Sequence, residues 1–246
     1  MPSPQALPEG PGFTLLRSRT ALPLAGLTLL AVEDSRFASE ALRLLCQRSG
    51  ARLRRAETMA AARKHLAVYR PDVVLVDLGL PDGNGVELIR ELSRNSGGGS
   101  LVLAISGDLD GWAAAVRAGA AGFLEKPLDS LAGFQQAILS HLKGQATIYP
   151  QPDESPLRPD RQALHDDLVH AAGLLAQGRD GARRYAVEFV SGLARTTNDA
   201  ALAGAAALAR TSDAGLASLG SLLAERINLG NDPFAAARRK GDRLFP

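Results

Sequence analysis

Carboxylates at the ends of two apolar segments are the residues best suited to chemistry in this sequence. Glu33 and Asp34 follow the apolar segment 27–32, and Asp77 closes the apolar segment 73–77. Three carboxylates brought together repel one another unless a cation neutralises them. Mg²⁺ is held by carboxylates, other oxygen donors and water, and it leaves positions open for a phosphoryl oxygen. These residues therefore predict a Mg²⁺ site.

A hydroxyl and an ammonium group complete this set. Ser106 ends the apolar segment 101–106, and Lys126 follows the segment 122–124. A phosphoryl oxygen is stabilised by such donors. A carboxylate that attacks a phosphodonor needs positioning and neutralisation of charge, and little further covalent help. The five side chains together predict a site of phosphoryl transfer.

Short apolar segments alternate with helical patterns between residues 27 and 143. This alternation is typical of a parallel sheet that is covered by helices. Functional residues of such sheets gather at the carboxyl ends of the strands, where all five polar side chains above are expected. The predicted strands are residues 27–32, 52–56, 73–77, 101–106 and 122–124.

Four sequence segments in this region carry a family resemblance. AVEDS, VVLVDLGLPDGNGVEL, LAISG and GFLEKP, in that order and spacing, resemble the receiver domain of two-component response regulators. The resemblance spans about residues 26–144. It implies an α/β fold with a five-stranded, parallel, doubly wound sheet in the flavodoxin-like order 2-1-3-4-5.

The resemblance also implies a role for each site residue. Asp77 is expected to be the phosphoacceptor, Lys126 to contact the phosphoryl group, and Ser106 to turn inward and bind it. Phe123 occupies the position of the aromatic switch residue, whose rotamer follows the hydroxyl. The expected Mg²⁺ ligands are Glu33, Asp34, Asp77 and the backbone carbonyl of Gly79.

Two positions depart from the commonest pattern of that family. Glu33 replaces the more frequent Asp, and its extra methylene group favours contact with the metal through water. Gly79 has no side chain to shield an acyl phosphate, which predicts fairly rapid hydrolysis. The fifth helical segment also lacks the charged pairs with which many DNA-binding members dimerise, so that kind of dimer is not expected, while another form of homodimer stays open.

The composition changes after Lys143. A Pro-containing segment follows, and then four Ala- and Leu-rich helical segments at 161–177, 181–195, 199–210 and 213–229. Short breaks between helices are typical of a helical bundle. Asp199 and Asp213 are placed to cap two of these helices. We predict an N-terminal extension at 1–25, a receiver at 26–144, a linker at 145–160, an all-α bundle at 161–230 and a tail at 231–246.

Three functions are open to the bundle. His165 and His170 on its first helix allow a phosphotransfer module, but the Lys that usually follows such a histidine is missing, although Gly173 is present. Residues 208–223 loosely resemble a helix-turn-helix, but the candidate recognition helix presents Leu, Ala, Ser and Gly where Arg, Lys, Asn or Gln would read bases, so DNA is not expected as a partner. A protein-interaction or dimerisation bundle needs only an apolar face, and we favour it.

The overall composition is that of an ordinary globular chain. It has 246 residues, of which 46% are hydrophobic, and a formal net charge of +2. No apolar segment reaches the ~18 residues of a membrane span, and no secretory signal pattern is present. The single cysteine, Cys46, lies in a helical pattern and is expected in the core. We expect a cytoplasmic protein without membrane contact.

The combined hypothesis is a phosphorelay response regulator. It accepts a phosphoryl group on Asp77 from a sensor histidine kinase or a histidine phosphotransfer protein, and it signals through an unidentified protein target. It is not expected to be an enzyme beyond catalysing its own phosphorylation and dephosphorylation. Phosphorylation is expected to change the contact between receiver and bundle, with the apolar surface around Trp112 in residues 109–120 facing the bundle.

Overall fold

The computed structural model describes residues 22–95, 99–142 and 160–230. Most of the predicted N-terminal extension, nearly all of the predicted linker and the whole predicted tail lie outside these residues. The strands are β1 (Thr28–Val32), β2 (Arg52–Ala56), β3 (Val73–Asp77), β4 (Gly79–Leu80), β5 (Gly83–Asn84), β6 (Leu101–Ser106) and β7 (Gly122–Glu125). The receiver helices are α1 (Arg36–Ser49), α2 (Met59–Val68), α3 (Gly85–Asn95), α4 (Trp112–Ala118) and α5 (Leu131–Leu139).

The five long strands form one parallel sheet in the order β2-β1-β3-β6-β7. Counted without the two-residue strands, this is the predicted order 2-1-3-4-5, so the predicted fold class is confirmed. Strands β4 and β5 form a small antiparallel hairpin between β3 and α3. Every residue of the central strand β3 is buried, as expected for a strand covered on both faces.

Apolar side chains point alternately to the two faces of this sheet and build two cores. On one face, Leu29 and Leu75 pack with Leu42 of α1 and Phe134 of α5. On the other face, side chains of β1, β3 and β6 pack with those of α2, α3 and α4. The receiver's own helices in this doubly wound arrangement do not cover the carboxyl ends of the strands.

Helix α1 begins directly after the first pair of acidic residues. Ser35 is its N-cap, and the side chain accepts a hydrogen bond from the backbone N–H of Ala38. The helix ends at Gly50, whose φ of 81° is left-handed and suits glycine. The turn from β1 to α1 therefore fixes the backbone beside Glu33 and Asp34.

Helix α4 is shorter than the helical pattern over residues 109–120. A 3₁₀ turn occupies Leu109–Gly111, and the α-helix begins only at Trp112. The helix ends at Gly119, which has a φ of 107°. Left-handed glycine is a common helix terminator, so that residue sets the end.

The second half of the described chain is a bundle of four helices, which confirms the predicted helical C-terminal region. They are α6 (Arg161–Ala176), α7 (Asp180–Thr197), α8 (Ala200–Ala209) and α9 (Asp213–Gly230). Each helix packs against the next, and α9 packs back against α6. Their apolar faces meet in a core that includes Leu168, Val190, Leu219 and Leu223.

The caps of the bundle helices agree with the sequence at one position and differ at another. Asp199 caps α8, because its side chain accepts from the N–H of Leu202 at 3.0 Å. Asp213 is instead the first residue of α9, and Ser212 accepts from the N–H of Gly215 at 3.1 Å. The Ser212 hydroxyl therefore caps α9 in place of the expected Asp213 carboxylate.

Within the described ranges, no helix is both long and apolar enough to cross a bilayer.

Candidate functional site

The carboxyl edge of the sheet brings the predicted site residues together. Asp77 and Ser106 are the last residues of β3 and β6, and Lys126 directly follows β7. Glu33 and Asp34 directly follow β1. Since the strands are parallel, these ends lie on one edge. All five side chains are buried except that of Asp34, which is half-buried.

Lys126 lies between two of the carboxylates. Its Nζ is 2.7 Å from Glu33 Oε2 and 2.8 Å from Asp77 Oδ2. The ammonium group is almost completely shielded from solvent, so these ion pairs are stronger than surface pairs. One cation therefore fixes the side chains at the ends of β1 and β3.

The cluster carries more acidic groups than Lys126 can neutralise. Burial, together with the negative charge of Asp77, raises the pKa of Asp34 from 3.8 to about 7. Burial also raises the pKa of Glu33 well above its ordinary value, although Lys126 opposes this. Burial alone would lower the pKa of Lys126, but the ion pairs with Asp77 and Glu33 outweigh it and raise that pKa. The charge of this acidic cluster that Lys126 does not neutralise is therefore negative.

This cluster has the chemistry of a Mg²⁺ site. Glu33, Asp34 and Asp77 each offer a carboxylate oxygen, and these atoms lie within 4.8 Å of one another. The donor set consists only of oxygen and has an excess of negative charge, which suits a hard divalent cation. The residues therefore fit the metal that receiver domains bind at such an acidic pocket.

The other predicted residues lie around this cluster. The N–H of Gly79 donates to Asp77 Oδ1 at 3.3 Å, which places the Gly79 backbone beside the cluster. Ser106 Oγ accepts from the N–H of Asp108 at 3.0 Å. Phe123 is partly buried and stacks on Trp112, with ring centroids 6.1 Å apart and an interplanar angle of 11°. The structure places these residues but does not test their roles.

Gly85 is a site residue that the sequence reasoning missed. A Cβ at this position would lie 2.0 Å from the carbonyl oxygen of Asp77. Only glycine allows the first turn of α3 to approach the phosphoacceptor candidate so closely. The signal was available in the segment PDGNG, where several turn-forming residues follow Asp77.

The bundle also reaches the acidic edge, which the sequence did not predict. The hydroxyl of Tyr185 in α7 donates a hydrogen bond to Asp34 Oδ2. Asp167 in α6 is buried and accepts hydrogen bonds from the first residues of α1. A cleft of about 500 Å³ at the edge is lined both by the cluster and by residues of α7. The two halves of the chain therefore share the site.

Neither histidine singled out in the sequence faces Asp77. Among the described residues, those lining the cleft around Asp77 include neither His165 nor His170. Both histidines instead line a neighbouring cleft that also contains Asp34 and Tyr185. The exposed His170 lies with its ring edge against Phe189. The residues that α7 places in the Asp77 cleft carry no imidazole.

The expectation that the bundle faces the surface around Trp112 differs from the structure. Trp112 and Val116 are 55% and 47% exposed. The contact with the bundle is instead made through α1, which packs against α6. The polar groups at the start of α1 donate hydrogen bonds to Asp167 of the bundle. An apolar surface could not have supplied donors for this buried carboxylate.

Comparison with known proteins identifies the first half of the chain. Residues 29–137 match the family model described as the response regulator receiver domain. Among solved structures, the response regulator receiver domain from Methylobacillus flagellatus is 29% identical with a TM-score of 0.41, covering 46% of this chain and 98% of that chain. A two-component response regulator from Clostridium difficile is 17% identical with a TM-score of 0.43, covering 48% and 99%.

Curated relatives give the same result. The KDP operon transcriptional regulatory protein KdpE of Escherichia coli is 35% identical over 127 residues, covering 50% of this chain and 55% of KdpE. The photosynthetic apparatus regulatory protein RegA of Rhodobacter capsulatus is 33% identical over 134 residues, covering 54% of this chain and 70% of RegA. The chain thus spans about half the length of KdpE.

The names of these relatives bear on the expected partners. KdpE and the PhoP proteins are named transcriptional regulatory proteins, which gives no support to the expectation that DNA is not a partner. The match to RegA covers more than two thirds of that protein at over 30% identity, and the family model matches the sheet and its helices. The chain therefore belongs to the response regulator family, with its receiver domain at residues 29–137.

Proposed function

We propose that this chain is a phosphorelay response regulator that accepts a phosphoryl group on Asp77 and signals through its helical bundle. The observation that carries the proposal is the Asp77 carboxylate at 2.8 Å from Lys126 Nζ, inside an acidic cluster that fits Mg²⁺. The donor is a sensor histidine kinase or a histidine phosphotransfer protein. The place of action is the cytoplasm, where such donors present their phosphohistidine.

The transfer makes one bond and breaks one bond. An oxygen of Asp77 attacks the phosphorus, the bond between phosphorus and the imidazole nitrogen breaks, and that nitrogen keeps the electron pair and takes up a proton. The product is an acyl phosphate on Asp77. Lys126 neutralises charge on the transferring oxygens, and the N–H of Gly79 holds the second carboxylate oxygen. Glu33, Asp34, Asp77 and the Gly79 carbonyl would hold Mg²⁺, which would supply further neutralisation of charge.

The response of the receiver starts from Ser106 and Phe123. In the structure Ser106 Oγ accepts from the Asp108 N–H and its own proton is free to be donated to a phosphoryl oxygen. Reorientation of that hydroxyl vacates space next to Phe123, which stacks on Trp112. A phosphoryl group adds about −1.5 to −2 charges and several acceptors, which is sufficient to bias such a two-state arrangement.

The bundle is assigned to output rather than to phosphate relay or catalysis on a separate substrate. His165 and His170 are absent from the residues that line the Asp77 cleft, which does not favour relay within the described chain. The favoured output is contact with a protein target or a second copy. Transcriptional control is the second candidate, since several relatives carry that function in their names.

Labelling with a small phosphodonor tests the proposal. We expect the full chain, incubated with phosphoramidate and Mg²⁺, to gain one base-labile phosphoryl group by intact mass. Asp77→Asn is expected to gain none, and so is the wild-type chain in excess chelator. Asp129→Asn, which changes an exposed carboxylate at the same edge, is the matched control and is expected to label like wild type. Equal labelling of Asp77→Asn would overturn the assignment.

A DNA-binding selection separates the two outputs. The phosphorylated full chain is incubated with a random duplex library, and bound sequences are recovered. An enriched motif supports transcriptional control. Uniform, salt-sensitive recovery supports output through protein contacts, because non-specific affinity arises from phosphate neutralisation alone.

A further inference from the structure

The first turn of α1 is completed by a residue of the bundle. Asp167 accepts a hydrogen bond from Ser35 Oγ at 2.8 Å, from the N–H of Arg36 at 2.9 Å and from the N–H of Phe37 at 3.0 Å. Its side chain is only 2% exposed. A carboxylate at a helix N-terminus pairs with free N–H groups and with the positive end of the helix dipole. Asp166 adds an ion pair to Arg36 at 2.6 Å.

A second residue of the bundle donates a hydrogen bond to the acidic cluster itself. Tyr185 donates its phenolic proton to Asp34 Oδ2, so that oxygen is engaged by a protein donor. Asp34 is the most exposed of the three candidate Mg²⁺ ligands, since Glu33 and Asp77 are buried and both are paired with Lys126. Tyr185 therefore engages one oxygen of a carboxylate that is also a candidate Mg²⁺ ligand.

Helix α7 also covers the approach to Asp77. Glu188, Phe189 and Arg195 line the cleft that contains the Asp77 side chain. A Cβ on Gly107 would lie 3.1 Å from Arg195 Nε, so the Arg195 side chain lies directly against the β6–α4 connection. Helix α7 therefore forms one wall of the cleft through which a phosphodonor would reach Asp77.

We propose that the bundle is a receiver-binding module whose α6–α7 face docks in cis on the acidic edge and competes there with Mg²⁺ and with the phosphodonor protein. Asp167 and Asp166 hold the start of α1, and Tyr185 holds Asp34. Binding of Mg²⁺ at Asp34 removes the Tyr185 contact and favours release of the face. This inference rests on the proposed function, because it makes the bundle a regulator of phosphorylation at Asp77.

Mg²⁺ affinity of the full chain tests the competition directly. Calorimetric titration is made on wild type, on Tyr185→Phe and on Tyr69→Phe, with no phosphodonor present. Hydrogen bonds to charged groups are among the stronger ones, so loss of the Tyr185 proton donor is expected to tighten Mg²⁺ binding roughly tenfold. Tyr69→Phe is the control, because its hydroxyl has no hydrogen-bond partner among the described residues. It is expected to bind Mg²⁺ like wild type.

Hydrogen exchange measures release of the face. The amides of Arg36 and Phe37 donate to Asp167, so they are expected to exchange at least several-fold faster once the bundle leaves. Saturating Mg²⁺ is expected to produce this change in wild type, and Asp167→Asn is expected to produce it without Mg²⁺. Peptides from the C-terminal half of α3, which does not line the cleft shared with α7, serve as the internal reference.

The outcomes separate this inference from the proposed function. Equal Mg²⁺ affinity of wild type and Tyr185→Phe, with no effect of Mg²⁺ on exchange at the start of α1, would overturn the competition even if Asp77 is labelled. Tighter binding by Tyr185→Phe with faster exchange supports the inference even if labelling of Asp77 fails. Both readouts are made without phosphorylation.

Discussion

The Asp34→Asn variant is expected to be more stable than the wild-type chain above neutral pH when no divalent cation is present. The pKa of Asp34 is raised from 3.8 to about 7 by burial and by the charge of Asp77. As pH rises from 3.8 to about 7, the folded chain keeps a proton that the unfolded chain has lost, so stability falls over this interval. Above it the full cost of the buried charge is present.

The size of the effect follows from the same two values. Each pKa unit corresponds to about 1.4 kcal/mol, so the cost at high pH has an upper limit of about 4 kcal/mol. The amide oxygen of the substituted side chain would still accept the Tyr185 hydrogen bond, but this bond would lack charge assistance. The weaker bond is expected to reduce the stability gain of the variant by roughly 2 kcal/mol. The net expectation is that the variant gains about 2 kcal/mol in free energy of unfolding at about pH 8 and gains nothing at about pH 4.

Urea unfolding at several pH values in excess chelator is the assay, with Asp129→Asn as the exposed-carboxylate control. Mg²⁺ at a hundred times its Kd is expected to raise the free energy of unfolding of the wild-type chain by about 2.7 kcal/mol. The variant is expected to gain less, because it has lost one carboxylate of the metal site. A variant that is less stable than wild type at high pH, or that keeps the wild-type pH dependence, would refute the assignment of uncompensated charge to Asp34.

Three shorter predictions concern neighbouring residues. Lys126→Met leaves two buried carboxylates without their cation and is expected to lose about 3 kcal/mol of unfolding free energy in chelator, part of which Mg²⁺ restores; unfolding with and without Mg²⁺ measures it. Gly85→Ala forces a Cβ against the Asp77 carbonyl and is expected to cost about 3 kcal/mol in a urea titration, whereas Gly79→Ala meets open space and serves as its control. Trp112 stacks on Phe123, so beryllofluoride with Mg²⁺ is expected to change its fluorescence; an identical spectrum with and without the phosphoryl mimic would contradict a moving Phe123.

The receiver sheet could be predicted from sequence because its signals are local. The segments 73–77 and 101–106 have the same bounds as β3 and β6, since a strand covered on both faces is apolar along nearly its whole length. The segment 52–56 also has the bounds of β2, although this edge strand is mostly exposed. The rule that carboxyl ends of parallel strands share an edge then placed Glu33, Asp77 and Lys126 together without any distance information. The distances of 2.7 and 2.8 Å agree with that placement.

The contact between receiver and bundle could not be predicted in the same way. Asp167 lies 132 residues from Ser35 along the chain, and Tyr185 lies 151 residues from Asp34. A single buried acid and a single tyrosine leave no periodic pattern, and the interface depends on the relative position of two packed units. An exposed apolar surface near Trp112 suggested the wrong contact, because surface hydrophobicity says nothing about which polar groups need partners.

The polar character of this contact determines how it can be reversed. Its described part includes the hydrogen bonds of Asp167, the Arg36 ion pair, the Tyr185 bond and Arg195 against the β6–α4 connection, together with Phe37 against the bundle core. Of these contacts, only the Tyr185 bond is made to a candidate Mg²⁺ ligand, so a cation at Asp34 would act on the contact through that bond. The proposed release of the bundle would therefore begin at Asp34, where the Tyr185 bond ties the contact to the same electrostatic change that is proposed to prepare Asp77 for phosphorylation.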